Sequence, residues 1–561
     1  MAQGILVLRS ISFGLTAILF AAAPVSAQVA PTLPSRQELQ PGQVLATSIA
    51  PRDPSGLFEQ LPGGPCPFLG SEISFTLQSV EFSGLPAEWN EIARAAWASR
   101  VGQSLSVAEL CTIRDDVARL LLARNLLARV EIPEQKIVDG TVRLEVVPGR
   151  FEGVRVTGSA PATALVRKTL EPVTQAEFID LNVVQRYLLL AADIPGVVLT
   201  STILPGAVRG GLILEVAVDR KPVTFSLGGQ NFNSRTQGRI SGVARLSIEG
   251  LTSHGDRTTL LASTSSDFRE LQVYQIGQEY RIGAKGLTAR GSFTYAIGRP
   301  GDVLTPLDLR SRSLVGNVEL SYPLVRHRRR NLNLTGGLDL VDQRTRVFGT
   351  LPLSREQARV AYVRASGNMS SRYGDDPAAL SLAVELRQGL DIFGATEQGS
   401  LDLTRPFADP SATVVRANLG ARYSPVRSVT VIANSLAQYT REALVTYEQM
   451  GIGNLSIGRG YDPNAAPGDR GAALALEVEF GPVTREDAVV APFAFFDAAR
   501  VTNLGPGGYS DTLRSVGGGV RGNLFNRVDF GVTYAHPLDS AFPGGPRASD
   551  RVLLTLSAFF L

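Results

Sequence analysis

The 561-residue chain has only two cysteines, three histidines and two tryptophans. His254, His327 and His536 are scattered, and none lies near Cys66 or Cys111. Zinc-ligand spacing is therefore absent, and no metal, cofactor or catalytic residue is expected. A dominant charge sign is missing too: 55 Lys and Arg face 52 Asp and Glu. That balance argues against nucleic acid or an acidic substrate as partner. Beyond the N-terminus no stretch is apolar enough to cross a bilayer as a helix.

What is present begins with an export signal. Arg9 precedes an apolar run from Ile11 to Ala23, which ends in Pro24-Val25-Ser26-Ala27. A positive start, a short apolar middle and a small-residue end mark a cleaved leader, expected at 1–27. The run is short for a spanning helix, which needs roughly 20 apolar residues. An exported chain without a helical anchor is a secreted protein, a periplasmic protein or an outer-membrane barrel. Abundant glycine, 56 residues, leans toward the barrel.

Residues 28–70 read as a linker, because prolines at 31, 34, 41, 51, 54, 62, 65 and 67 forbid long regular elements. At most Ser35–Gln40 or Gln43–Ala50 forms a short helix. Residues 71–149 and 150–219 then repeat the order β-α-α-β-β. In the first unit an extended run at Gln78–Ser83 precedes a helical pattern over Ala87–Arg100. A capping box, Ser106-Val107-Ala108-Glu109, opens a second helix. Strands Ala128–Val138 and Thr141–Val147 follow, joined by Asp139-Gly140. In the second unit the elements are Phe151–Thr157, Ala162–Leu170 after Pro161, Leu181–Ala192, Val197–Leu204 and Gly211–Val218. In an oxidising compartment Cys66 and Cys111 can pair, stapling the linker to the first unit. The other reading is two separate buried thiols.

From about residue 220 apolar and polar residues alternate with period two. Tyr274, Ile276, Tyr280 and Ile282 are one such set, and Val552, Leu554, Leu556, Ala558 and Phe560 another. A soluble sandwich shows the same alternation. Segment length decides: 220–561 divides into roughly 16 segments of the length a tilted strand needs to cross a bilayer. Short turns, such as Lys285-Gly286 and Arg326–Arg330, alternate with long connections, such as Gly298–Asp308 and His536–Ser549. That asymmetry belongs to outer-membrane barrels. The fold class is therefore mainly β: two α/β units before an antiparallel transmembrane β-barrel of about 16 strands.

Between the eleventh and twelfth segments, within about 450–470, lies a glycine-rich loop. It contains Gly458-Arg459-Gly460-Tyr461 and then Asp469. Phe493-Ala494-Phe495-Phe496-Asp497 follows on a later strand. If Asp497 faces inward, strand parity turns Phe493 and Phe495 inward as well. An arginine on the loop and a carboxylate on the wall can form a charge-assisted fork. Val208-Arg209-Gly210 and Val520-Arg521-Gly522 carry similar dipeptides without such a loop. Gly517–Gly522 formally fits G-x-G-x-x-G, but no helix follows, so glycines for close strand packing explain it better.

These features together resemble the two-partner-secretion transporters, the haemolysin-activator and filamentous-haemagglutinin type. The resemblance spans the leader, the proline-rich linker, two POTRA domains and the barrel. It implies that Arg459 contacts Asp497 on the inner wall, with Gly458, Gly460, Tyr461 and Asp469 completing a lock on loop six. The family's usual loop has valine before the arginine, where this chain has Gly458. Family linkers begin with a helix that plugs the pore; here that stretch is short and broken by Pro41.

The function implied is a non-enzymatic outer-membrane channel for type V secretion. Periplasmic POTRA domains would bind an unfolded exoprotein and the barrel would pass it outward. Expected partners are that cargo, outer-membrane lipid and the barrel-assembly machinery during biogenesis. The alternatives are a barrel insertase of the same superfamily, a passive porin or a secreted β-protein.

Overall fold

The computed structural model describes residues 33–41 and 66–560, apart from 159–161, 177, 253, 374–375, 454–456 and 541–547. The expected leader, most of the linker and Pro161 lie outside the described residues.

In the first α/β unit a sheet orders Ser79–Ser83, Thr141–Pro148 and Ala128–Glu131. Helix Glu109–Ala123 packs on it through Leu110, Ile113, Val117 and Leu121. The long helix expected over Ala87–Arg100 is broken into a one-turn α-helix, Asn90–Arg94, between the 3-10 turns Ala87–Trp89 and Ala98–Arg100. Ala93 and Ala96 are its buried hydrophobics, too little apolar surface to hold a longer helix. Only half of the expected capping box forms. The Glu109 carboxylate accepts the Ser106 N–H at 2.6 Å, while Ala108 takes the N-cap position. The strand expected over Ala128–Val138 stops at Glu131. Gln135 then stands in for it, its side-chain amide bonding the N–H and C=O of Arg143 at 2.7 and 2.8 Å.

The second unit matches its pattern more closely. Helices Ala162–Leu170 and Leu181–Ala192 cover a sheet ordered Arg150–Gly158, Gly211–Arg220 and Val197–Pro205. Asp180 caps the latter helix through the Asn182 N–H at 2.8 Å. Arg209, in the hairpin of this unit, bonds Glu145 of the first at 2.7 Å and also meets Glu131. That guanidinium holds the Glu145 carboxyl below its ordinary range. The second unit reaches the barrel through Asp193, whose carboxylate takes a fork from Arg326 at 2.8 Å on each arm.

Sixteen antiparallel strands close the barrel, counting Arg470–Phe480 and its continuation Val483–Arg485 as the twelfth. The last strand, Arg551–Phe560, pairs with the first, Val223–Gln230. Closure satisfies every strand edge, which lipid demands. Tyr274, Ile276, Tyr280, Ile282, Val552, Leu554, Leu556 and Phe560 all lie exposed on the outer face. The inner face is charged. Glu279, Arg290, Glu319, Arg364, Glu385 and Arg387 form a continuous ladder of ion pairs from the fourth to the ninth strand.

Residues 33–41 sit inside the barrel. Pro34 accepts a bond from Gln343 at 2.9 Å, and Leu39 packs among the wall residues Val273, Val315 and Val341. This stretch forms a turn over residues 36–39 where the sequence allowed at most a short helix over Ser35–Gln40. Cys66 and Cys111 are joined as a disulfide with Cα atoms 5.7 Å apart.

Candidate functional site: loop six and the inner wall

Loop six leaves the eleventh strand at Tyr439 and rejoins the wall at Arg470. It turns inward because it carries its own apolar core. Met450, Ile452, Ile457 and Tyr461 pack with Ala473, Ala475, Ala499 and Val501 of the wall.

Arg459, 5% exposed, is seated on the fully buried Asp497. Its Nε and Nη2 donate to the two carboxylate oxygens at 3.1 and 2.8 Å. The backbone N–H groups of Gly458 and Arg459 donate to the same carboxylate at 3.0 and 2.9 Å. Asp497 thus accepts four bonds from four donors on two consecutive residues of one turn. Arg459 Nη1 reaches Glu477 of the twelfth strand at 2.6 Å. The guanidinium carbon lies 3.5 Å from the centroid of the Phe495 ring. Two carboxylates and an aromatic face therefore enclose one cation, which a compact lysine ammonium does not match.

Phe493 and Phe495 are buried on the lumen side, as the parity argument requires, while Phe496 is exposed on the outer face. Their rings lie against Gly517 and Gly519 of the fourteenth strand. A Cβ at Gly517 would meet the Tyr534 carbonyl at 2.0 Å and the Phe495 ring at 2.7 Å. The glycine run makes room for the rings. The Tyr461 hydroxyl donates to the Arg514 carbonyl at 2.8 Å and accepts the Asp539 N–H at 3.1 Å. Gly460 donates to the Ser515 hydroxyl at 3.3 Å.

Asp469 is not brought to Arg459. It is fully buried elsewhere, paired with Arg405 of the loop between the ninth and tenth strands at 2.5 and 2.9 Å. It also accepts the N–H of Leu444 and of Leu504, at 3.0 and 2.6 Å. Its place is the root of the loop rather than its tip. Two members of the arginine cluster escape sequence reasoning. Glu477 looks like any inward polar residue. Arg521, in sequence only a Val-Arg-Gly lookalike without the loop, bonds both Glu477 and Glu479 and lies 4.6 Å from the Phe493 ring.

A closed barrel behind two α/β units, with a loop pinned inside it, defines an outer-membrane translocation barrel of the POTRA-bearing class. Residues 211–522 match the family described as haemolysin secretion/activation protein ShlB/FhaC/HecB, and residues 75–149 match its POTRA domain. The chain belongs to this family of two-partner-secretion transporters. The outer membrane transporter CdiB of Dickeya dadantii is 22% identical over 428 residues, 74% of this chain and 73% of its own. The heme/hemopexin transporter protein HuxB of Haemophilus influenzae is 22% identical over 473 residues, covering 78% and 79%. Among solved structures, CdiB from Escherichia coli aligns with a TM-score of 0.69 at 19% identity, over 94% of this chain and 98% of its own. BamA from Haemophilus ducreyi lacking POTRA domains 1–3 aligns at 0.53 with 14% identity, over 87% and 100%. At these identities the structural likeness speaks for the fold.

Proposed function

We propose that this channel secretes one partner exoprotein, with loop six as the element that moves. The chain then divides into a leader at 1–27, a linker at 28–70, POTRA domains at 71–149 and 150–219, and the barrel at 220–561. The POTRA domains lie in the periplasm and hold the cargo in an extended state. The sheet edge best suited to this is Val197–Pro205. It pairs on one side only, among the described residues, and carries no charged side chain. Natural edges are usually guarded by charge or bulges, and a bare one offers its ladder to an added strand. Folding of the cargo outside supplies the direction of travel.

The observation that carries this reading is the fork between Arg459 and Asp497 on a loop inside the lumen. A loop so held blocks passage, and four bonds to one carboxylate can be released as a unit. Gly458, Gly460 and Tyr461 shape the tip, Phe493 and Phe495 form its bed, and Asp469 anchors its root. The Cys66–Cys111 bridge keeps the end of the linker on the first POTRA domain.

The test is secretion of the partner exoprotein from whole cells. Arg459→Ala and Asp497→Ala should each reduce it with barrel levels unchanged. Normal secretion by both variants would refute the lock.

A further inference from the structure

A second buried arginine joins loop six to a different stretch of wall. Arg387, on the ninth strand, has no exposed surface. Its Nε and Nη2 form a fork on the Glu448 carboxylate, 2.8 Å on each arm. Nη2 also reaches Asp339 of the seventh strand at 2.6 Å, and Nη1 reaches Glu385 at 3.1 Å. Arg416 of the tenth strand adds an ion pair to Glu448 at 3.1 Å and donates to its backbone carbonyl at 2.8 Å. Glu448 belongs to the first half of loop six, in the buried turn Thr446–Glu448.

The N-terminal segment meets the same cluster. Arg36 lies 3.6 Å from Glu385. Leu39 packs in one apolar cluster with Val445 and Tyr447, the neighbours of Glu448. Arg36, Arg387 and Arg416 thus balance Asp339, Glu385 and Glu448. Such a set is stable as a whole and poorly stable with one member missing, because a buried charge is then left uncompensated.

We propose that Arg387 is a positioning residue of the secretion pore. It ties the first half of loop six and the segment 33–41 to one point of the wall, so the two leave the lumen together. This rests on the reading of loop six as the moving element, but uses a contact independent of Arg459.

The test uses the full-length protein in planar lipid bilayers, with Gln37→Cys as a thiol reporter on the segment. Arg387→Gln should raise the conducting fraction of time roughly fivefold or more, the effect of about 1 kcal/mol. Labelling of the reporter should speed up by a similar factor. Glu448→Gln should do the same, and the double variant no more than either single, since both act through one contact. Arg387→Lys keeps the charge and loses the fork, so it should fall between. The temperature at which heating shifts the barrel on a gel controls for folding. If Arg387→Gln and Arg387→Lys change nothing while Arg459→Ala opens the pore, the proposal fails and the lock stands. If Arg387→Gln opens the pore without faster labelling, the shared tie is wrong. If neither Arg387→Gln nor Arg459→Ala has an effect, both readings fall.

Discussion

Gly458 donates its amide to the Asp497 carboxylate at 3.0 Å from a backbone with φ of +80°. The residue before the arginine is therefore part of the cradle. It reaches that carboxylate in a conformation open to glycine and costly for branched side chains. A Cβ there would also lie 2.9 Å from Ile452 Cγ2 and 3.0 Å from the Gly453 nitrogen.

Replacing Gly458 by the family's usual valine should accordingly damage this protein. Strain of about 1–3 kcal/mol is expected. Protease accessibility of loop six on intact cells should rise. Unchanged accessibility in Gly458→Val would show that the turn can re-form with negative φ.

Arg459→Lys should behave much more like Arg459→Ala than like the parent. A lysine cannot span both oxygens of Asp497 and also reach Glu477. Truncating one partner of a buried pair costs about 3–5 kcal/mol, so secretion should fall sharply in both. Near-normal secretion by the lysine variant would mean that charge alone holds the loop.

Gly517→Ala tests the bed on which the arginine stacks. The added methyl overlaps the Tyr534 carbonyl and the Phe495 ring. Overpacking of this kind costs about 1–3 kcal/mol. The heat-induced mobility shift of the barrel should occur at lower temperature than in the parent.

Removing the Cys66–Cys111 bridge should loosen the first POTRA domain without touching the barrel. A cross-link over a sequence separation of 45 stabilises by on the order of 3–4 kcal/mol in the chain-entropy account. Cys66→Ser, Cys111→Ser and the double variant should show equal gains in proteolysis of residues 66–149. A double variant worse than both singles would point to roles beyond the bridge.

Acid should weaken the link between the two POTRA domains. Arg209 lowers the Glu145 pKa in the folded protein. The stabilisation is therefore present above the ordinary glutamate value, about 4.3. It is lost as pH falls through the lower folded value. Arg209 is exposed and Glu145 partly so, so the effect is small and screened by salt. Glu145→Gln should differ from the parent in protease cleavage between the domains at pH 7, and the difference should vanish well below pH 4. A difference that persists in acid would assign the link to packing.

The sequence alone determined the outer surface and the order of the parts. A bilayer imposes a period of two on every strand, so Tyr274–Ile282 and Val552–Phe560 reveal a lipid-facing wall without any coordinates. Helices Ala162–Leu170 and Leu181–Ala192 are legible for the same kind of reason, a local apolar period. Long-range contacts are not local, and there the sequence is silent. Ala128–Val138 has strand composition, yet a glutamine side chain takes over its second half. Arg521 looks like one more inward residue until sheet register carries its side chain across the thirteenth strand to Glu477 and Glu479 on the twelfth. Arg387 and Glu448 lie 61 residues apart and meet only because the loop between the eleventh and twelfth strands folds back into the lumen. Strand periodicity says which way each charge points; which charges meet depends on barrel closure and the inward fold of loop six, and only the tertiary structure contains those.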